Sequence, residues 1–117
     1  MTIPKAPPGT KPAGSALWHS IVDRFELDAH EMTLLVQAVR TADLCDLLEA
    51  DVAAHGVTCE SSQGVRTNPS LVELRQQRVT LARLLAALRL PTGDESGLRR
   101  PQRRTAVRAP FPIGVQK

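Results

Sequence analysis

Large apolar residues recur at helical spacing in three stretches of this chain, and capping residues separate them. Leu17, Trp18, Ile21, Val22 and Phe25 share one helical face. They predict a first helix over 15–25, with Ser15 as its cap. So many large side chains in under three turns describe a docked helix, not a free one. Glu26 and Leu27 interrupt the pattern. Asp28 then stands three residues before Glu31, the spacing of a capping box. A second helix is predicted over 28–55, with Gly56 as its stop. Its main stripe is Leu35, Ala38, Ala42, Cys45, Leu48 and Val52. A second flank of Leu34, Leu44 and Leu47 calls for a further partner, either the first helix or another subunit.

The connector 56–67 loses the helical period. Val57 and Cys59 before a Ser-Ser-Gln-Gly centre, with Val65 and Thr67 after it, fit a small β-hairpin or an irregular loop. Asn68 as N-cap and Pro69 at the first helical position start a third helix over 68–90. Leu71, Leu74, Leu81, Leu85 and Leu88 form a coiled-coil-like seam in which Arg78 takes one position. Pro91 and Gly93 end it. A short connector between two long helices predicts antiparallel pairing. The expected class is therefore all-α. A short N-terminal helix packs on a long antiparallel helical hairpin, and together they form an oligomerisation domain over 15–91. Trp18, Ile21, Phe25, Leu34, Leu44, Leu47, Leu74, Leu81 and Leu85 are its expected core and subunit contacts.

Composition adds two things. Aromatics are confined to Trp18, Phe25 and Phe111, which favours thin helix-on-helix layers over a deep core. Such layers are often completed by oligomerising. Charge is also segregated. Residues 1–14 carry +2, residues 15–90 carry −3 and residues 91–117 carry +4. The N-terminal arm 1–14 holds four Pro and two Gly and is expected to be flexible or extended. The tail 92–117 holds Arg99, Arg100, Arg103, Arg104 and Arg108, and ends with Phe111 and Ile113 in a stretch that reads as a docking peptide or a frayed end.

No nucleophile–base spacing links His19, His30 or His55 to a Ser or Cys. Asp43, Asp46, Glu49 and Asp51 read as a solvated helix face beside Arg40. Cys45, His55 and Cys59 lack a fourth ligand and the usual zinc spacings. Gly9 and Gly14 lack a phosphate-loop pattern. The second helix opens with Asp28, His30, Glu31 and Thr33, which opposes its use as a DNA-reading helix. No catalytic residue, metal or cofactor is therefore expected. Polyanion binding remains, because paired guanidinium groups contact phosphates and release counterions. Double-stranded DNA is favoured, since no aromatics interleave the arginines to stack single strands. RNA, membranes and acidic protein surfaces also attract such tails. Neither a signal peptide nor an apolar run near the roughly 20 residues of a membrane span is found, so cytoplasm is the expected compartment.

The order of these residues resembles a family. Leu17 to Asp23, Phe25 to Glu31, Ala42-Asp43, Leu48-Glu49, Gly64, Asn68-Pro69, Leu71, Glu73 to Arg78, Leu81 to Leu85 and Leu88 to Pro91 resemble the small terminase subunits of tailed bacteriophages. The resemblance covers about 16–91; the arm lies outside it, and the tail is similar in composition alone. It implies a non-catalytic subunit, in the cytoplasm of a bacterial host, that recognises the packaging site on viral DNA. It also implies a ring of identical subunits and recruitment of a large ATPase–nuclease subunit, with an HNH endonuclease in some phages. Many such subunits carry a separate helix–turn–helix domain, which is not expected within these 117 residues. DNA contact is therefore assigned by charge to Lys5, Lys11, Arg99, Arg100, Arg103, Arg104 and Arg108, with Arg66 added at the connector. The competing expectations are a small dimeric transcription regulator and a helical protein–protein adaptor.

Overall fold

The computed structural model describes residues 2–91 and the backbone of Gln102 and Arg103. The chain is mostly helical, with three helices and two small two-stranded sheets, so it is not purely all-α. Helix α1 spans Pro12–Val22, α2 Ala29–His55 and α3 Pro69–Leu88. Strand β1 is Phe25–Glu26, β2 Thr58–Ser61, β3 Gly64–Thr67 and β4 Gln102–Arg103.

Helix α1 begins three residues earlier than its sequence suggests. Pro12 opens it, its φ pre-set for a first helical turn. Ser15 lies inside the helix, where its N–H donates to Lys11 O at 2.8 Å. The cap comes from another helix. Asp43 of α2 accepts from Lys11 N at 2.8 Å and from Gly14 N at 2.6 Å. Two of the amides left bare at a helix start thus meet a carboxylate. The helix also stops at Val22, so Phe25 enters the core from a strand. That strand pairs antiparallel with β4, Phe25 opposite Arg103 and Glu26 opposite Gln102.

Local chemistry sets the ends of α2. Glu31 Oε1 accepts from Asp28 N at 2.6 Å, the reach-back half of a capping box. Gly56 leaves the helix at φ 86° while its N–H closes on Val52 O at 2.7 Å. The connector is a β-hairpin in which Cys59 faces Arg66 and Glu60 faces Val65, turned through Ser62 and Gln63. Gly64, at φ 110°, takes the backbone out of the turn. Asn68 is buried and ties the hairpin's base. Its Oδ1 caps Ser70 N, its Nδ2 donates to Gly56 O and its backbone N donates to Val57 O, all at 2.9 Å. Helix α3 closes at Arg89, which takes a left-handed φ of 55° normally left to glycine.

Helices α2 and α3 run antiparallel. Asp51 meets Ser70, Glu49 meets Arg78, and Leu35 shares a cluster with Leu88. Helix α1 lies antiparallel to α2, with Gly14 against Val39 and Asp43, and Trp18, Ile21 and Val22 around Leu35. The core therefore sits at one end of the hairpin, in Trp18, Ile21, Val22, Phe25, Leu35, Val39 and Leu88. Past Asp43, α2 and α3 form a two-helix layer that buries Cys45, Leu74 and Asn68.

Candidate functional site

The basic residues picked from the sequence separate into two groups. The N-terminal arm is held against α1. Pro4 O accepts from Trp18 Nε1 at 3.1 Å, and Ala6 packs on the core. Of the two states expected for 1–14, residues 2–10 take the extended one, docked on the core, while 12–14 form the first turn of α1. The indole needs a buried acceptor, and the arm's carbonyl supplies it. Lys5 remains exposed beside that contact. The backbone of Arg103, through its pairing with Phe25, lies at the same core end. Lys11 is exposed at the start of α1. Arg66 is exposed on β3 at the opposite end. The 20 residues of α3 set that end apart by about 30 Å at 1.5 Å per residue. Arg66 and Arg103 thus form no common patch. Arg99, Arg100, Arg104, Arg108, Phe111 and Ile113 lie outside the described residues.

The nine apolar residues assigned to core or subunit contact also divide. Trp18, Ile21, Phe25 and Leu74 are buried within the chain. Leu34, Leu44, Leu81 and Leu85 are half-buried. Leu47 is open to solvent, at 66% exposure. It lies on the α1-covered side of α2 but beyond the point where α1 begins, with Ala50 and Ala54, also exposed, one and two turns further along.

Two residues the sequence reading missed match it. Val72 and Val79 of α3 are 45% and 49% exposed. They stand seven residues apart, with exposed Ala86 seven further on, half a turn away from the seam that faces α2. The signal was present in that heptad spacing, but the stronger Leu seam on the opposite side masked it.

The two outer faces carry opposite charge. Helix α3 has Arg75, Arg78 and Arg83 against Glu73. Arg78 is used by Glu49 at 2.7 Å, and Glu73 accepts from Gln77 at 2.7 Å. That leaves Arg75 and Arg83 flanking the Val72–Val79 row. Helix α2 has Arg40 against Glu31, Asp43, Asp46, Glu49 and Asp51, and exposed Asp46 borders the Leu47 row.

The titratable groups offer no assembled reaction centre among the described residues. Burial pushes the Cys45 thiol up, Glu49 adds to this and Arg78 opposes it, so the thiol stays protonated at neutral pH. The Ser70 hydroxyl holds Asp51 below the usual carboxylate range, with His55 and Asn68 adding to it. These bonds lock the ends of α2 and α3 together. Asp28, His30 and Glu31 lie close enough to share an ion, but Glu31 is already committed to Asp28 N at the helix cap. An open groove of about 440 Å³ runs between α1 and the end of α3, walled by Leu17, Ile21, Phe25, Leu85 and Leu90. Its described lining contains Ser20 and Arg24 but no carboxylate or imidazole to act as a base. No described helix is long and apolar enough to cross a membrane.

In comparisons with protein-family models, curated proteins and solved structures, nothing matches the chain.

Proposed function

We propose that this chain is a non-catalytic terminase small subunit. In this reading it binds double-stranded viral DNA at the packaging site, assembles with copies of itself, and recruits and regulates the large ATPase–nuclease subunit. In phages that use an HNH endonuclease, that enzyme is a further partner. The work is done in the bacterial cytoplasm and calls for no metal or cofactor.

The observation that carries the DNA part is the pairing of β4 with β1. It tethers the arginine-rich segment to the core end, where the arm bearing Lys5 is also held. Arg99, Arg100, Arg103, Arg104 and Arg108 then act from a fixed base on one duplex, with Lys5 held at the same end and Lys11 at the other end of α1. Arg66, at the far end, serves a separate contact.

The test is a full-length variant with these five arginines changed to glutamine, titrated onto a labelled 40-base-pair duplex. If each neutralises one phosphate, the slope of log affinity against log salt becomes shallower by about 4 to 5. Affinity at low salt falls at least tenfold. Unchanged affinity and slope would refute the assignment of DNA contact to this segment.

A further inference from the structure

The two uncovered rows lie on opposite edges of one thin layer. Leu47, Ala50 and Ala54 point away from α3, and Val72, Val79 and Ala86 point away from α2. Each row has the seven-residue repeat by which one helix packs along another. Neither is covered within the described chain, where Leu47 stands on one edge and Val72 and Val79 line up on the other. Their charges decide what covers them. The α3 row is flanked by Arg75 and Arg83, the α2 row by Asp46. Two copies meeting α3 to α3 would set arginine against arginine, and α2 to α2 would set aspartate against aspartate. Pairing α3 of one copy with α2 of the next matches apolar row to apolar row and opposite charges at the rim.

We infer that the α3 outer face, centred on Val72 and Val79, docks a second copy of this chain through that copy's α2 face, centred on Leu47. This contact is heterologous. Because the two faces are on opposite edges, each copy still offers a free edge after docking, so the assembly grows until it closes as a ring or continues as a filament. The inference rests on the self-assembly part of the reading above and is independent of its DNA part.

Charge reversal tests it by light scattering on full-length chains at tens of micromolar. One variant carries Arg75→Glu with Arg83→Glu, which makes both outer faces acidic. The other carries Asp46→Arg with Ala50→Lys, which makes both basic. All four positions are exposed, so thermal unfolding should stay near that of the unaltered chain. The unaltered chain is expected at a multiple of 12.7 kDa. Each variant alone is expected at 12.7 kDa, and an equimolar mixture returns to the assembled mass, because acidic and basic copies then alternate. A monomeric unaltered chain overturns the inference and the assembly reading together. An assembly that both variants leave intact, or a mixture that stays monomeric, overturns the interface alone. Loss of duplex binding by the Arg75/Arg83 variant, with the unaltered chain monomeric, would assign the α3 face to DNA instead.

Discussion

Replacing Trp18 with alanine should cost about 3–5 kcal/mol of stability. The indole is 2% exposed and sits among Ile21, Val22, Leu35, Val39 and Leu88, at the only place where three helices meet among the described residues. Removing it leaves a cavity that three separate elements would have to collapse into. Domains of this size hold roughly 5–13 kcal/mol in total, so the loss is a large share. Thermal unfolding followed by circular dichroism should move down by roughly 15–30 °C. Trp18→Phe restores most of the packing but not the N–H that donates to Pro4 O. It should therefore fall between the two and free the arm, read as faster proteolysis around residues 2–10. A shift under about 5 °C for the alanine variant would contradict the position of the core.

The second large effect belongs to the smallest side chain. A Cβ at Gly14 would meet Asp43 Oδ2 at 2.6 Å, Val39 Cγ1 at 2.8 Å and Val39 O at 2.8 Å. The carboxylate can swing aside, but the backbone oxygen cannot. Helix α1 must then withdraw from α2, and the two amide bonds to Asp43 stretch with it. Overpacking of this kind costs about 1–3 kcal/mol, and losing amide bonds to a charged carboxylate adds about 1.5 kcal/mol or more. Gly14→Ala should therefore destabilise by about 2.5–4.5 kcal/mol in urea unfolding. Asp43→Ala removes the same two bonds and one of the clashes. The double variant should be less damaged than the two single effects added together. Strict additivity would mean that Gly14 and Asp43 do not act on one contact.

These two residues also show where sequence is informative and where it is silent. The ends of α2 and the start of α3 rest on neighbours a few positions apart: Asp28 with Glu31, Gly56 with Val52, and Asn68 with Ser70. Such caps are legible because the partner is local. The start of α1 is not, since its cap is Asp43, about thirty positions away on another helix. Ser15 offers the conventional capping chemistry nearby and so misleads. Phe25 fits the apolar period of α1, yet its strand partner is Arg103, far along the chain, and the chain leaves the helix first. Val39 falls outside the main stripe of α2 because it faces Gly14 of α1 and not α3. The two-residue turn at Ser62 and Gln63 distinguishes the hairpin from a loop only once the strands are paired.

The candidate surfaces follow the same rule. Charge is legible as composition, so the arginine-rich segment and the acidic second helix are visible at once. Convergence is not, because it depends on packing. The chain holds its N-terminal arm and β4 at the core end but sends Arg66 to the other. Leu47 is apolar in any reading. That it is exposed follows from where α1 begins, which is a tertiary fact.

The role proposed above, a packaging subunit acting on a larger motor, would be read in the ATP turnover of a terminase large subunit, if one is encoded in the same genome. The rate is measured with duplex DNA, with and without an equimolar amount of the full-length chain. A change of several-fold is expected, weakened in the glutamine variant of the five arginines. A rate unchanged at saturating chain, under conditions where the chain binds the duplex, would contradict it and favour a DNA-binding regulator.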